Sequence, residues 1–129
     1  MTRARSSSRL GLLTLSGLLA LATLGAATVP HFDLEKSSPE ADAMVHEIEA
    51  VTLWFTEEPA EESVTVRLID GSGEVVEGLS AAVDEEDATR YVMPTTDGLA
   101  AGTYTVSWRG MGGDGHVVRG EFNFTVMQH

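Results

Sequence analysis

The sequence predicts an all-β protein, a Greek-key β-sandwich or barrel of about seven strands with an immunoglobulin-like arrangement. Three observations carry that expectation. Apolar residues after Ala50 recur with period two and not 3.6. Clusters of turn-forming residues separate the alternating runs. The chain that remains behind an N-terminal leader has about a hundred residues, enough for one core.

The leader comes first. Arg3, Arg5 and Arg9 form a basic stretch, Leu10 to Leu24 is an uncharged apolar run, and Gly25-Ala26-Ala27 supplies small residues of the kind signal peptidase accepts. Residues 1–27 are therefore expected to be an export signal removed after Ala27, leaving 28–129 as a single domain. The alternative is an uncleaved anchor, since a bilayer-spanning helix needs roughly 17–25 apolar residues. The small and polar residues within the run favour cleavage. With no cysteine in the chain, lipid attachment through an N-terminal cysteine, disulfides and thiolate metal sites are all excluded.

In the domain, Val51, Leu53 and Phe55 share one face of a strand, followed by Val64, Val66 and Leu68, then Tyr104, Val106 and Trp108, then Phe122, Phe124 and Val126. Such alternation describes strands half-buried against a second layer. Asp70-Gly71-Ser72-Gly73 closes a tight hairpin toward Glu74-Val75-Val76, Asp97-Gly98 precedes the Tyr104 strand, and Gly110 to Gly115 is a glycine-dense link. Leu99 to Tyr104 reads as the corner in which a tyrosine hydroxyl bonds back to upstream backbone. Pro39 to Ala50 is read as a loop with one helical turn, and Asp84 to Thr89 as an exposed acidic connector.

The exported domain carries five basic against twenty acidic residues, a net charge of −15. That field repels nucleic acid and anionic lipid. Acidic clusters such as Glu57-Glu58 with Glu61-Glu62 are accounted for by solubility. Of the four histidines, His31, His46, His116 and His129, none stands beside a plausible nucleophile, so hydrolysis has no foothold. His129, the last residue, is expected to fray. Asp114-Gly115-His116 is different in kind: residues two apart in an extended segment share a side, Gly115 with Gly112 and Gly113 before it lets the backbone turn tightly enough to bring both heads together, and a carboxylate with an imidazole suits Cu(II), Zn(II) or Ni(II). Taken alone the tripeptide reads equally well as a turn with a solvated histidine.

A longer pattern surrounds it. His31 stands near the expected mature start, Leu53-Trp54-Phe55-Thr56-Glu57 follows, and the chain closes with Gly102-Thr103-Tyr104-Thr105-Val106-Ser107-Trp108 and Asp114-Gly115-His116-Val117-Val118-Arg119-Gly120-Glu121-Phe122-Asn123-Phe124. This resembles the CopC family of periplasmic or cell-surface copper-binding proteins over nearly the whole mature chain. The resemblance implies a Cu(II) site built from His31, Asp114 and His116, no enzymatic activity, and copper buffering, resistance or delivery outside the cytoplasm. It also implies a copper ion and a membrane copper transporter as partners. A monomer is expected, with no nucleic acid partner and no membrane contact after signal cleavage. Glu57 is a second-tier ligand candidate. In the family the histidine can be the first mature residue and chelate through its amine as well; here Thr28-Val29-Pro30 precede His31, leaving it an imidazole alone. No methionine-rich Cu(I) loop is expected, because Met44, Met93, Met111 and Met127 are scattered. Two other readings stay open: an acidic interaction module whose metal site has degraded, and a copper oxidase acting on polysaccharides, for which the eight aromatic residues of the domain supply no binding face.

Overall fold

The structure, a computed structural model, describes residues 31–128; the expected leader 1–27 and His129 lie outside the described residues. Eight strands run in the order β1 (Leu34–Ser38), β2 (Met44–Val45), β3 (Ala50–Phe55), β4 (Thr65–Ile69), β5 (Ala82–Asp84), β6 (Asp87–Pro94), β7 (Gly102–Met111) and β8 (Val117–Val126). They form two four-stranded sheets, β1-β3-β6-β5 and β2-β8-β7-β4. All pairings are antiparallel except the two-residue β2, which lies parallel to β8. Only β5–β6 and β7–β8 are hairpins within one sheet; every other connection crosses to the opposite layer. That crossing pattern is what separates a Greek-key sandwich from a simple meander.

The alternation decides which faces meet. Val51, Leu53 and Phe55 of β3 are buried between their half-exposed neighbours, and Val66 and Leu68 of β4 do the same from the other sheet. Tyr104, Val106 and Trp108 of β7, with Phe124 and Val126 of β8, complete the interior, while Phe122 is only half-buried. Phe55 is the centre of an aromatic cluster. Its ring stacks on Phe32 at 5.0 Å between centroids and meets Trp108 at 5.5 Å and Tyr91 at 5.8 Å edge to face. These offset and T-shaped contacts suit the ring quadrupoles. Trp108 in turn lies against Gly120, directly across the ladder, where a methyl group would come within 2.7 Å of the indole. Only glycine lets the ring fill that space.

The turns follow from side-chain capture of backbone donors. Asp70 Oδ1 accepts from the Ser72 N–H (2.9 Å), the Ser72 hydroxyl (2.7 Å) and the Glu74 N–H (3.1 Å), an Asx turn of the expected kind. Its returning arm makes a single bridge, Ile69 to Val75, and no full strand. The Tyr104 hydroxyl donates to the Ala100 carbonyl at 2.7 Å, which is the expected corner.

Two sequence expectations are corrected. Pro39 to Ala50 holds no helical turn: Met44–Val45 is drawn into the sheet, where Thr125 N–H donates to Ala43 O and Met127 N–H to Val45 O. Open backbone N–H donors of Thr125 and Met127 at the end of β8 outweigh the short apolar spacing that suggested a helix. Asp84 to Thr89 connects as expected only through the exposed Glu85-Glu86; the rest belongs to β5 and β6, and the corner is fixed because Asp84 Oδ1 accepts from the Glu86 N–H at 2.7 Å while Oδ2 accepts from Arg90 Nε and Nη2 at 3.1 and 2.9 Å.

Replacing Phe55 with alanine removes the ring that joins Phe32, Tyr91 and Trp108. It is expected to cost about 3–5 kcal/mol, read as the shift in urea midpoint; a loss below about 1 kcal/mol would mean that these rings pack without it.

Candidate metal centre

The β7–β8 hairpin ends in a turn over residues 112–116. Gly112 N–H donates to the His116 carbonyl and Gly115 N–H to the Gly112 carbonyl, and Gly115 sits at φ 84°, which a side chain would resist. Asp114 and His116 therefore meet across a closed turn, the tight turn that the glycines were expected to allow. The Asp114 carboxylate takes both donors of His116: the backbone N–H reaches Oδ1 at 3.0 Å and the ring Nδ1 reaches Oδ2 at 2.9 Å. Since a carboxylate only accepts, the proton of the neutral imidazole resides on Nδ1 and the lone pair on Nε2. A carboxylate that fixes the tautomer of a histidine in this way is the usual partner of a metal-binding imidazole.

His31 is exposed and is placed from the other sheet. Thr56, the residue after β3, donates its hydroxyl to the His31 carbonyl at 3.1 Å and accepts from the Asp33 N–H at 3.0 Å, while its own N–H donates to the Asp33 carbonyl at 2.8 Å. Phe32, buried on Phe55, then carries the segment across the end of the sandwich to the hairpin turn. There a methyl group on Gly112 would lie 2.7 Å from Phe32 Cβ, 3.3 Å from Asp114 Oδ1 and 3.4 Å from Glu57 Oε1. The neighbour of His31, the Glu57 carboxylate and the Asp114 carboxylate thus crowd one small space that exists because residue 112 has no side chain.

The structure brings Asp114 and His116 into direct contact and gathers Glu57 and the His31 segment around the same turn. Among the described residues, no three histidine, aspartate or glutamate side chains come close enough to form a ready-made metal cluster. Thr56 as a positioning residue, and the room that Gly112 leaves for Phe32, are features that the sequence reading did not single out. A threonine at the end of a strand carries no signal of its own, and Gly112 read as a residue of the turn, with nothing local to show the ring beside it.

The sandwich with this hairpin has clear relatives. The model of the CopC domain matches residues 34–127. The chain belongs to the CopC family. Protein YobA of Escherichia coli K12 is 32% identical over 97 residues, 74% of this chain and 78% of that protein. Copper resistance protein C of Escherichia coli is 28% identical over 112 residues, 78% of this chain and 84% of that protein. Among solved structures, CopC from Methylosinus trichosporium OB3b superposes with a TM-score of 0.69 at 27% identity, covering 77% of this chain and 96% of the other. PcoC, a methionine-rich copper resistance protein from Escherichia coli, gives 0.68 at 30% identity, covering 75% and 99%. The expected family and the β-sandwich are both shown.

In this CopC domain the Asp114–His116 pair has a definite electrostatic character. The hydrogen bond from the His116 ring, then that from its backbone N–H, hold the Asp114 carboxyl below the ordinary 3.8. The hydrogen bond to Asp114, then its negative charge, push His116 above 6.5. Both groups are solvent-exposed, so the pair organises the turn more than it stabilises the fold. Its contribution fades as the pH falls through the lowered pKa of Asp114, and again as it rises through the elevated pKa of His116. An NMR titration of the metal-free protein should give a His116 midpoint above 6.5, falling back in Asp114→Asn; equal midpoints in the two proteins would show that the pair does not form in solution.

Proposed function

We propose that this CopC domain is exported and captures Cu(II) outside the cytoplasm, in the periplasm or at the cell surface, for copper buffering, resistance or delivery, without catalysing a reaction. The observation that carries the reading is the Asp114–His116 pair at the tip of the β7–β8 hairpin, with the imidazole tautomer that leaves Nε2 as ligand atom. Copper resistance proteins among the relatives supply the metal. Imidazole nitrogen with carboxylate oxygen suits Cu(II) among divalent ions. His116 Nε2 and the His31 imidazole would supply nitrogen, Asp114 would supply oxygen or orient His116, and Glu57 or water would fill a remaining position. With signal cleavage after Ala27, His31 brings one ligand atom, and the copper is held more weakly than by a histidine at the chain terminus. A monomer that passes the ion to a membrane transporter accords with a small site at the exposed end of a single domain.

Protons compete for the site. Because Asp114 raises the basicity of His116, copper binding is expected to weaken as the pH falls through the elevated His116 pKa. Calorimetric titration of the exported protein should show one Cu(II) per chain, weakened at least about tenfold, or 1.4 kcal/mol, in His116→Ala and by a smaller factor in His31→Ala. Binding unchanged in His116→Ala removes the reading.

A second reading, an acidic interaction module with a degraded metal site, is favoured by one observation: His31, Asp114 and His116 do not stand as a preformed three-residue cluster. The mass of the exported protein separates the two. A chain beginning at Thr28 together with no stoichiometric Cu(II) uptake selects the interaction module.

A further inference from the structure

The domain is strongly acidic, yet its positive charge is not scattered. Of the five basic residues in 31–128, Lys36 holds its ammonium 4.8 Å over the Trp54 ring and Arg90 is paired with Asp84. The remaining three, Arg67, Arg109 and Arg119, are exposed and take part in no ion pair among the described residues. All three project from the outer face of the β4-β7-β8 sheet, because they occupy the alternate positions to the buried Val66, Leu68, Val106 and Trp108.

The register makes them neighbours. Arg109 stands directly across from both Thr65 and Arg119, and in the adjacent row Ser107 stands across from both Arg67 and Glu121. With strands about 4.8 Å apart, the three guanidinium groups cover three strands, and with the Thr65 and Ser107 hydroxyls they line one shallow hollow of about 250 Å³. Glu121 is the one carboxylate on the outward positions of β4, β7 and β8, and it forms no ion pair with any of them. Two arginines directly opposed across a ladder are destabilising, and neutral or acidic residues in that row would serve the fold better. Such a concentration of unpartnered donors is what carboxylates recognise, bidentately where they meet a guanidinium fork.

We infer that the outer face of β4-β7-β8, centred on Arg67, Arg109 and Arg119, is a docking surface for an acidic polypeptide segment of a partner protein. The patch is open and spread over three strands, with no buried donor to enclose a single anion, so it fits several carboxylates on one chain. A flat anionic membrane would meet the whole −15 domain. A thin acidic segment can lie within the local positive field, which decays over roughly 8 Å at physiological ionic strength. Arg109 and Arg119 stand two ladder rows from Met111 and Val117, beyond which the turn carries Asp114 and His116. A partner docked here is therefore held beside that turn. The surface itself requires no metal, so its test is independent of the copper reading.

The experiment is an NMR titration of the metal-free, isotopically labelled protein with a hexaglutamate peptide. The result expected is saturable shifts at Arg67, Ser107, Arg109 and Arg119, fading as salt rises from about 0.1 M to 1 M, where the screening length contracts from about 10 Å to about 3 Å. Arg119→Glu places an opposite charge across from Arg109, so it should melt at or above the wild-type temperature while losing at least about tenfold in peptide affinity. Arg67→Gln and Arg109→Gln should each weaken binding without unfolding the domain. The proposal is overturned by no saturable binding, by shifts centred elsewhere, or by undiminished affinity in these variants. It is equally overturned if inorganic phosphate binds the patch as tightly as the peptide, or if phosphatidylglycerol vesicles bind and the peptide does not.

Discussion

The packing of Phe32 on Phe55 is the contact on which the site depends. Phe55 closes the inward row of β3 and meets Trp108 of the opposite sheet, so it is held by both layers of the sandwich. Phe32 has no strand to hold it; it is buried because its ring stacks on Phe55 and because Gly110 and Gly112 leave room beside the hairpin. Apolar burial thus places the residue next to His31, and Thr56 completes the placement through the backbone on either side. An exposed histidine ahead of the first strand would otherwise be free to wander, at an entropic cost that any ligand would have to meet on binding.

The hairpin turn solves a different problem. Its histidine is exposed, and exposed ion pairs contribute little to stability, so the Asp114–His116 contact is better understood as organising the ring than as holding the fold. The carboxylate selects the tautomer, raises the basicity of the ring and narrows its orientation. One side of the candidate centre is organised by packing and the other by a charge-assisted hydrogen bond. The two halves come from opposite ends of the domain sequence.

Charge has a comparable division of labour across the surface. Twenty carboxylates give the domain a field that repels polyanions, while the three unpartnered arginines collect on one sheet face. No stretch of sequence shows that collection, because Arg67, Arg109 and Arg119 are far apart in the chain and become neighbours only when β4, β7 and β8 pair.

Much was legible beforehand for physical reasons that are local. Period-two burial in β3, β4, β7 and β8, the Asp70 turn and the Tyr104 corner depend on residues close in sequence, and the sequence alone determined them. It likewise determined the family, through the closing Tyr104 to Trp108 and Asp114 to Phe124 segments. The tertiary structure decided what rests on long-range pairing or on the closure of a hairpin. It drew Met44–Val45 into a strand beside β8 where local spacing suggested a helical turn, and it folded Asp84 onto Arg90 as a hairpin corner. It also set the Asp114 carboxylate on His116 Nδ1, and brought Glu57 and the Phe32 segment over Gly112. Met44–Val45 and the group of Phe32, Glu57 and Gly112 find partners far away in the chain, whereas Asp84 with Arg90 and Asp114 with His116 are near neighbours brought into contact by the closure of their hairpins. For the distant partners no window along the chain contains both halves of the contact, and for the near ones the window contains both residues but not the turn geometry that makes them meet.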